Sequence, residues 1–245
     1  DDETFEKIKA LRRELHKIPE LSGQERRTME VLKTFLREHT SLSVTDRGGW
    51  FYALHQENGA EETVVFRADM DAIKGAGNIP YHGCGHDGHS AILAGLCLLT
   101  EGRVFQKNLC FLFQPAEETG EGGNPCSRLL EELGADRVYG YHNLPGYPLG
   151  TAVMRRETFS CDTVNTPEIT DMSRMLFEQE GIPCLEAAAP FRWSEDFGWY
   201  LKKCQGMYFG IGAGEDCPDL HTPDYEFPDE VIRNAVRCLY LLAEI

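Results

Sequence analysis

Residues 82–89 read His-Gly-Cys-Gly-His-Asp-Gly-His, which places three imidazoles and a thiol in one short glycine-rich stretch. Thiolate and neutral imidazole are the preferred ligands of zinc and its first-row neighbours, and glycines let a loop fold tightly around an ion. An apolar core has no use for so many polar side chains in one turn. Cys84 and His86, separated by Gly85, are the pair best spaced to turn toward one ion. The plainer alternative is a buried free thiol beside a surface histidine. One of His82 and His89 touches substrate or orients a ligand; the alternative for each is a solvated side chain or a helix-start residue. Asp87 either orients His86 or caps that helix.

Four further positions complete a possible ligand set. Glu117-Glu118 are adjacent like charges, which repel unless something positive neutralises them. Neighbouring side chains diverge, so one glutamate can bind a metal while the other faces a water; the alternative is a solvated loop pair. His142 and His221 are lone histidines, and such residues are more often structural than ligating. Their claim rests on completing the set. Asp69 and Asp71 either position ligands or simply end a strand. His16, His39 and His55 read as surface residues, and Trp50, Trp193 and Trp199 as packing.

The elements around these residues put them in one place. Phe5, Ile8, Leu11 and Leu15 recur at helical spacing. Ser22 with Glu25 reads as a capping box for a second helix to about Glu38. Val44 to Leu54, Thr63 to Ala68, Leu109 to Phe113, Val138 to Tyr141 and Met207 to Ile211 read as strands. Helices are expected at Ser90 to Leu99, at a stretch ending near Leu133, and at Glu168 to Glu180, Ser194 to Lys203 and Asp229 to Glu244. This alternation implies an α/β, three-layer sandwich with a mainly parallel central sheet. Asp69, Asp71, Glu117, Glu118 and His142 then follow directly on strands, where open α/β sheets bind their ligands.

Composition narrows the function. Asp and Glu number 40 against 24 Lys and Arg, a formal charge of −16. That acidity argues against nucleic acid and anionic membranes, which need cationic patches. Nine cysteines without repeated spacing do not form a secreted disulfide framework. A reduced, cytoplasmic protein fits that count better. No stretch is long and apolar enough to span a bilayer as a helix. The start, Asp1-Asp2-Glu3, reads as trimmed rather than as a signal peptide.

Six ordered motifs carry a resemblance. They are Phe66-Arg67-Ala68-Asp69-Met70-Asp71-Ala72, His82 to His89, Phe113-Gln114-Pro115-Ala116-Glu117-Glu118, Tyr141-His142-Asn143, Glu195-Asp196-Phe197 and Leu220-His221-Thr222-Pro223. They resemble the amidohydrolase branch of the co-catalytic-metal aminoacylase/carboxypeptidase peptidases. That branch includes N-acyl-amino-acid amidohydrolases, hippurate hydrolases, N-acetyl-diaminopimelate deacetylases and auxin-conjugate hydrolases. The resemblance implies a zinc-exopeptidase-like catalytic domain holding two divalent ions: zinc, manganese, nickel or cobalt. By motif position Cys84, His86, Glu118, His142 and His221 would bind them. Glu117 would be the general acid/base, and Asp71 a supporting carboxylate. Asp69 stands where related peptidases carry a ligand histidine. The implied substrate is a small N-acyl amino acid or short peptide. A dipeptidase or carboxypeptidase of the same family, and a metal-binding remnant without useful turnover, are the alternatives.

The chain is shorter than the family pattern. Residues 1–245 read as a single catalytic domain, and the family's lid and dimerisation domain is absent, with its expected insertion point near 162–163. Lys74-Gly75-Ala76-Gly77 stands in for a longer connection, and Ser194 for a glycine. A catalytic half that folds by itself, a monomer, and turnover weakened by loss of closure are the expectations.

Overall fold

Strand β3 (Thr63–Asp69) is buried along its whole length, and its side chains sort the layers. Alternate residues of a strand point to opposite faces. Val64, Phe66 and Ala68 accordingly enter one apolar cluster, and Val65 enters another. The same phase puts Arg67 on the Val65 face. The computed structural model describes residues 2–245; Asp1, read above as part of a trimmed start, lies outside the described residues.

Parallel neighbours flank β3: β6 (Asn108–Gln114) on one side and β7 (Arg137–Pro145) on the other, followed by β10 (Gln205–Gly214). The antiparallel hairpin of β1 (Ser43–Asp46) and β2 (Phe51–His55) extends the sheet beyond β6. Beyond β10 lie β8 (Ala152–Met154), antiparallel to it, and β9 (Cys184–Glu186). The result is one eight-stranded sheet in the order β1-β2-β6-β3-β7-β10-β8-β9. A separate small hairpin pairs β4 (Ile73–Lys74) with β5 (Pro80–Tyr81).

Helices α1 (Asp2–His16), α2 (Arg26–His39), α3 (His86–Thr100), α5 (Pro167–Gln179) and α7 (Val231–Glu244) cover the Phe66 face. Helices α4 (Gly123–Leu133) and α6 (Gly198–Leu201) cover the Val65 face through Leu129, Leu130 and Tyr200. Helix α3 is apolar all round from Ala91 to Cys97 and is buried on every side there. Ile92, Leu93 and Leu96 each contribute about 1.5–3 kcal/mol by leaving water. This anchors the helix whose first turn carries His86 and His89.

The α/β sandwich expected from the sequence is present, with three local differences. The Val44 to Leu54 stretch is a hairpin rather than one strand, because Gly48 takes φ 81° and its N–H donates to Asp46 Oδ1 at 2.7 Å. No capping box forms at Ser22: Gly23 turns the chain at φ 76°, the helix starts at Arg26, and Ser22 points elsewhere. The expected helix from Ser194 shrinks to Gly198–Leu201. Glu195 turns its carboxylate back onto the Phe197 N–H at 2.9 Å, a local bond that competes with helix formation.

Candidate metal and active site

The carboxyl edge of the parallel strands gathers the chemistry. β3 ends at Asp69, with Asp71 just beyond it. β6 ends at Gln114, and Ala116, in the left-handed region at φ 52°, turns the chain so that Glu117 and Glu118 face back over the edge. His142 stands inside β7, which runs on to Pro145, opposite Gly210 of β10. His221 follows β10 in a long loop and is itself left-handed at φ 63°. Such strain in non-glycine residues costs about 1–3 kcal/mol and clusters at functional sites. Gly85 takes φ 87° between Cys84 and His86, and a Cβ there would meet Asn143 Oδ1 and Tyr225 Oη at 2.6 Å. Only glycine lets the loop turn both flanking side chains inward.

All five residues expected as ligands converge. Cys84 Sγ lies 3.4 Å from His142 Nε2 and 3.2 Å from His221 Nε2. Glu118 Oε1 lies 3.4 Å from His221 Nε2 and 3.7 Å from His86 Nε2. The donor atoms of Cys84, His86 and His142 fall within 4.8 Å of one another, and so do those of Cys84, Glu118 and His221. Two overlapping triads therefore share the Cys84 sulfur. Glu117 stands beside them, its Oε2 3.9 Å from His86 Nε2. The cluster is buried except toward His221, whose side chain is 53% exposed, so solvent enters from that side.

The donor atoms fit a cation. His86 Nδ1 is 3.1 Å from Asp71 Oδ1, which makes Nδ1 the protonated nitrogen and turns the Nε2 lone pair into the cluster. His142 Nδ1 likewise donates to the Asn143 carbonyl at 2.7 Å and presents Nε2. His86 Nε2 and Glu118 Oε1 are buried with no hydrogen-bond partner among the described residues. Unpaired buried polar atoms are costly, and two of them aimed together at a thiol need a positive charge between them. Thiol, imidazoles and one carboxylate match a borderline divalent ion such as zinc.

Electrostatics agree. Burial alone would lower the His86 pKa, but Asp69, Cys84 and Asp71 overcome it and raise it well above the ordinary value. A proton and a metal ion compete for that same lone pair. Burial, reinforced by His89, drives His142 well below the ordinary value, so it is neutral. Burial pushes the Cys84 thiol up; a bound cation would reverse that and deprotonate it. Burial and the neighbouring Glu195 carboxylate raise Glu117 well above the ordinary range. Glu118 is held low: burial opposes this, but His221 and His86 prevail.

Asp71 sits behind the cluster as a support. It receives Ser22 Oγ at 2.6 Å and the Glu118 N–H at 3.0 Å, besides orienting His86. Asp69 is likewise behind, bonded to His89 Nδ1 at 2.6 Å, with its Oδ1 3.8 Å from His86 Nε2. Beneath both lies Arg67, fully buried. It donates to Asp69 Oδ2 at 2.7 Å, Asp196 Oδ1 at 2.7 Å and Gln114 Oε1 at 2.8 Å, and lies 3.3 Å from Glu195.

Several residues differ from their sequence reading. His82 and His89 are buried rather than solvated; His89 does stand in the first turn of α3 and spans Asp69 and Asn143, whereas neither ring nitrogen of His82 has a hydrogen-bond partner among the described residues. Asp87 bonds His16 Nδ1 at 2.7 Å instead of orienting His86, so His16 is not a free surface residue. His55 is likewise partly buried on Glu57, while His39 is exposed. Trp193 lies against the His142 ring at 5.2 Å. Sequence reasoning gave no role to Arg67, Glu195, Asp196 or Asn143, and it read Ser22 as a helix cap rather than as a partner of Asp71. A buried arginine between acidic motifs was the available signal for the first three.

Family comparison agrees with this geometry. Residues 65–245 match the model for peptidase family M20/M25/M40. The chain belongs to that family. An N-acetyldiaminopimelate deacetylase of Priestia megaterium is 32% identical over 169 residues, covering 62% of this M20 chain and 44% of the relative. One of Exiguobacterium sibiricum is 35% identical over 160 residues, covering 59% of this chain and 43% of the relative. The chain thus spans less than half the length of these curated relatives. Among solved structures, the Bacillus subtilis YXEP protein, described as a dinuclear metal binding peptidase from the M20 family, superposes with TM-score 0.89. It shares 18% identity and covers 99% of this chain and 98% of its own. The aminobenzoyl-glutamate utilization protein from Klebsiella pneumoniae superposes at TM-score 0.76 with 16% identity, over 99% and 96% of the two chains. These likenesses establish an M20-type catalytic fold.

Proposed function

We propose that the chain is a metal-dependent hydrolase that cleaves the amide bond of N-acyl amino acids. One observation carries the reading. Five donor residues from distant parts of the chain meet in two triads sharing Cys84, two of their donor atoms are buried without partners, and Glu117 stands beside them. The deacetylase names of the curated relatives support the amide and the acyl group.

Cys84, His86, Glu118, His142 and His221 would hold two divalent ions. Bound there, such ions supply Lewis acidity and lower the pKa of water from 15.7 to roughly 7. The rest is done by this chain's own groups. Glu117, with its proton affinity raised by burial, takes a proton from the attacking water and returns it to the departing nitrogen, which cannot leave as an anion. Asp71 keeps His86 in the tautomer that presents Nε2. Glu195, held at about 7 by burial, lies within 4.8 Å of Glu117 and keeps its proton affinity high.

The test is elemental analysis of the purified chain beside hydrolysis of an N-acetyl amino acid, before and after chelation and refilling with zinc or manganese. Bound metal and metal-restored hydrolysis are expected. A chain that binds metal yet releases no amino acid from any N-acyl substrate would overturn the catalytic reading.

A further inference from the structure

The five candidate ligands are not held alike. His86 stands in the first turn of α3 and His142 inside β7, Glu118 has its N–H on Asp71, and Cys84 is buried. His221 instead lies in the long loop between β10 and α7, with a left-handed backbone and a half-exposed side chain. Such a backbone persists only where its surroundings over-determine it. Two anchors hold it. The His221 N–H donates to the Gly83 carbonyl at 2.7 Å. Further along, the Tyr225 N–H donates to the Thr222 carbonyl at 3.1 Å, and the Tyr225 side chain is buried. Its hydroxyl receives Asn143 Nδ2 at 2.6 Å, while Asn143 Oδ1 lies 2.7 Å from His89 Nε2. One amide therefore ties the His221 loop both to β7 and to the first turn of α3.

We infer that Tyr225 is a positioning residue: its hydroxyl, held by Asn143, fixes the His221 imidazole against Cys84 and Glu118 and so sets the affinity of that triad for its ion. This rests on the two-ion reading above. Tyr225 acts through the loop and not as a ligand, because its hydroxyl is engaged by Asn143. Without that hydroxyl the buried Asn143 amide loses a partner, and the loop is free to relax from its strained conformation at His221. The His221 ring, open to solvent on one side, then turns away from Cys84 Sγ and Glu118 Oε1. The triad of Cys84, His86 and His142 has no member in this loop. His142 also keeps its own bond to the Asn143 carbonyl, which the side chain of Tyr225 does not touch. The loss therefore falls on one of the two ions. Partners that orient a ligand from behind are typically worth ten- to a hundredfold in metal affinity.

The experiment is calorimetric titration of the metal-free chain with zinc, for the parent, Tyr225→Phe, His221→Ala and the double variant. His221→Ala identifies the ion of the Cys84, Glu118 and His221 triad as the one it weakens most. Tyr225→Phe should weaken that same ion about tenfold and leave the other within about twofold. In the His221→Ala background it should change the remaining ion by less than about twofold, since the ligand it positions is already gone. Equal weakening of both ions, or a further loss in the His221→Ala background, would show that Tyr225 only supports the fold and would overturn the assignment; so would no change in either ion. Hydrogen exchange of the metal-free chain reads the anchor without any ion. The His221 amide should exchange about tenfold faster in Tyr225→Phe than in the parent. If the parent takes up fewer than two ions, the two-ion reading falls and exchange alone decides: a faster His221 amide upholds the anchor, and an unchanged one overturns it.

Discussion

Two buried polar clusters lie side by side at the carboxyl edge of the sheet, and they differ in how far their atoms are satisfied. Around Arg67, every guanidinium nitrogen has an acceptor among Asp69, Gln114 and Asp196, and Gln114 and the Gly123 N–H complete Asp196. Around Cys84, His86 Nε2 and Glu118 Oε1 have none. The first cluster is a closed frame that locks β3, β6 and the Glu195-Asp196 turn together. The second is held open by the first and by Asp71. The lesson is that burial of charge does not by itself mark a reactive site. Unspent lone pairs from several residues that converge on one point do, because only a further positive group completes them.

The contrast can be broken from either side. Glu117→Gln removes the proposed proton carrier and leaves the five donors in place. Turnover should fall about a hundred- to ten-thousand-fold while metal content holds; full activity would remove Glu117 from its role. Arg67→Met instead breaks the closed frame and leaves Asp69, Glu195 and Asp196 buried without their partner. The expected loss is about 3–5 kcal/mol in urea unfolding, since uncompensated buried charge is expensive. A loss below about 1 kcal/mol would show that the frame is not one. Chelation should act on the open cluster alone. A metal present at a hundred times its Kd stabilises by about 2.7 kcal/mol, so the urea midpoint of the metal-loaded chain should drop by that equivalent with chelator. The Cys84→Ser variant should show little of that drop.

The smallest effect concerns a third cluster, behind α3. Asp87 is held at about 2: burial would raise it, but His82, His16 and Arg12 prevail. Between about 2 and the ordinary 3.8 the folded state binds fewer protons than the unfolded one. The stabilisation is therefore present above about pH 4 and lost as pH falls toward 2, about 2 kcal/mol in all. His16 runs the other way. Its bond to Asp87 raises its pKa, so its contribution is full below about 6.5 and lost as pH rises through the folded value. His16→Gln should move the acid unfolding midpoint to higher pH and flatten the loss above neutrality, read by urea midpoints across pH.

The convergence of the candidate donors was legible because metal chemistry restricts residue type and spacing. Cys84-Gly85-His86 needs its glycine for φ 87°, and a motif records that need. Glu117-Glu118, His142 and His221 were legible as completions of that set and as neighbours of strand ends. The sandwich was legible from the apolar runs of β3, β6 and β10. What escaped were contacts made across sequence. Ser22 looks like a helix cap in its own neighbourhood and serves Asp71 instead, because Gly23 redirects the chain. His16 looks like a surface residue and meets Asp87 across 71 positions. Trp193 looks like packing until His142 is placed beneath it. Local pattern reports an element's period, whereas a side chain's partner is decided by the assembled layers.

The central claim is that Cys84, His86, Glu118, His142 and His221 hold a shared pair of cations. X-ray absorption at the metal edge of the zinc-loaded chain, with elemental analysis of the same sample, tests it most directly. Two ions per chain and a sulfur neighbour at about 2.3 Å, lost in Cys84→Ser, are the expected result. No bound ion, or ions whose surroundings contain only oxygen and nitrogen with Cys84 intact, would contradict it.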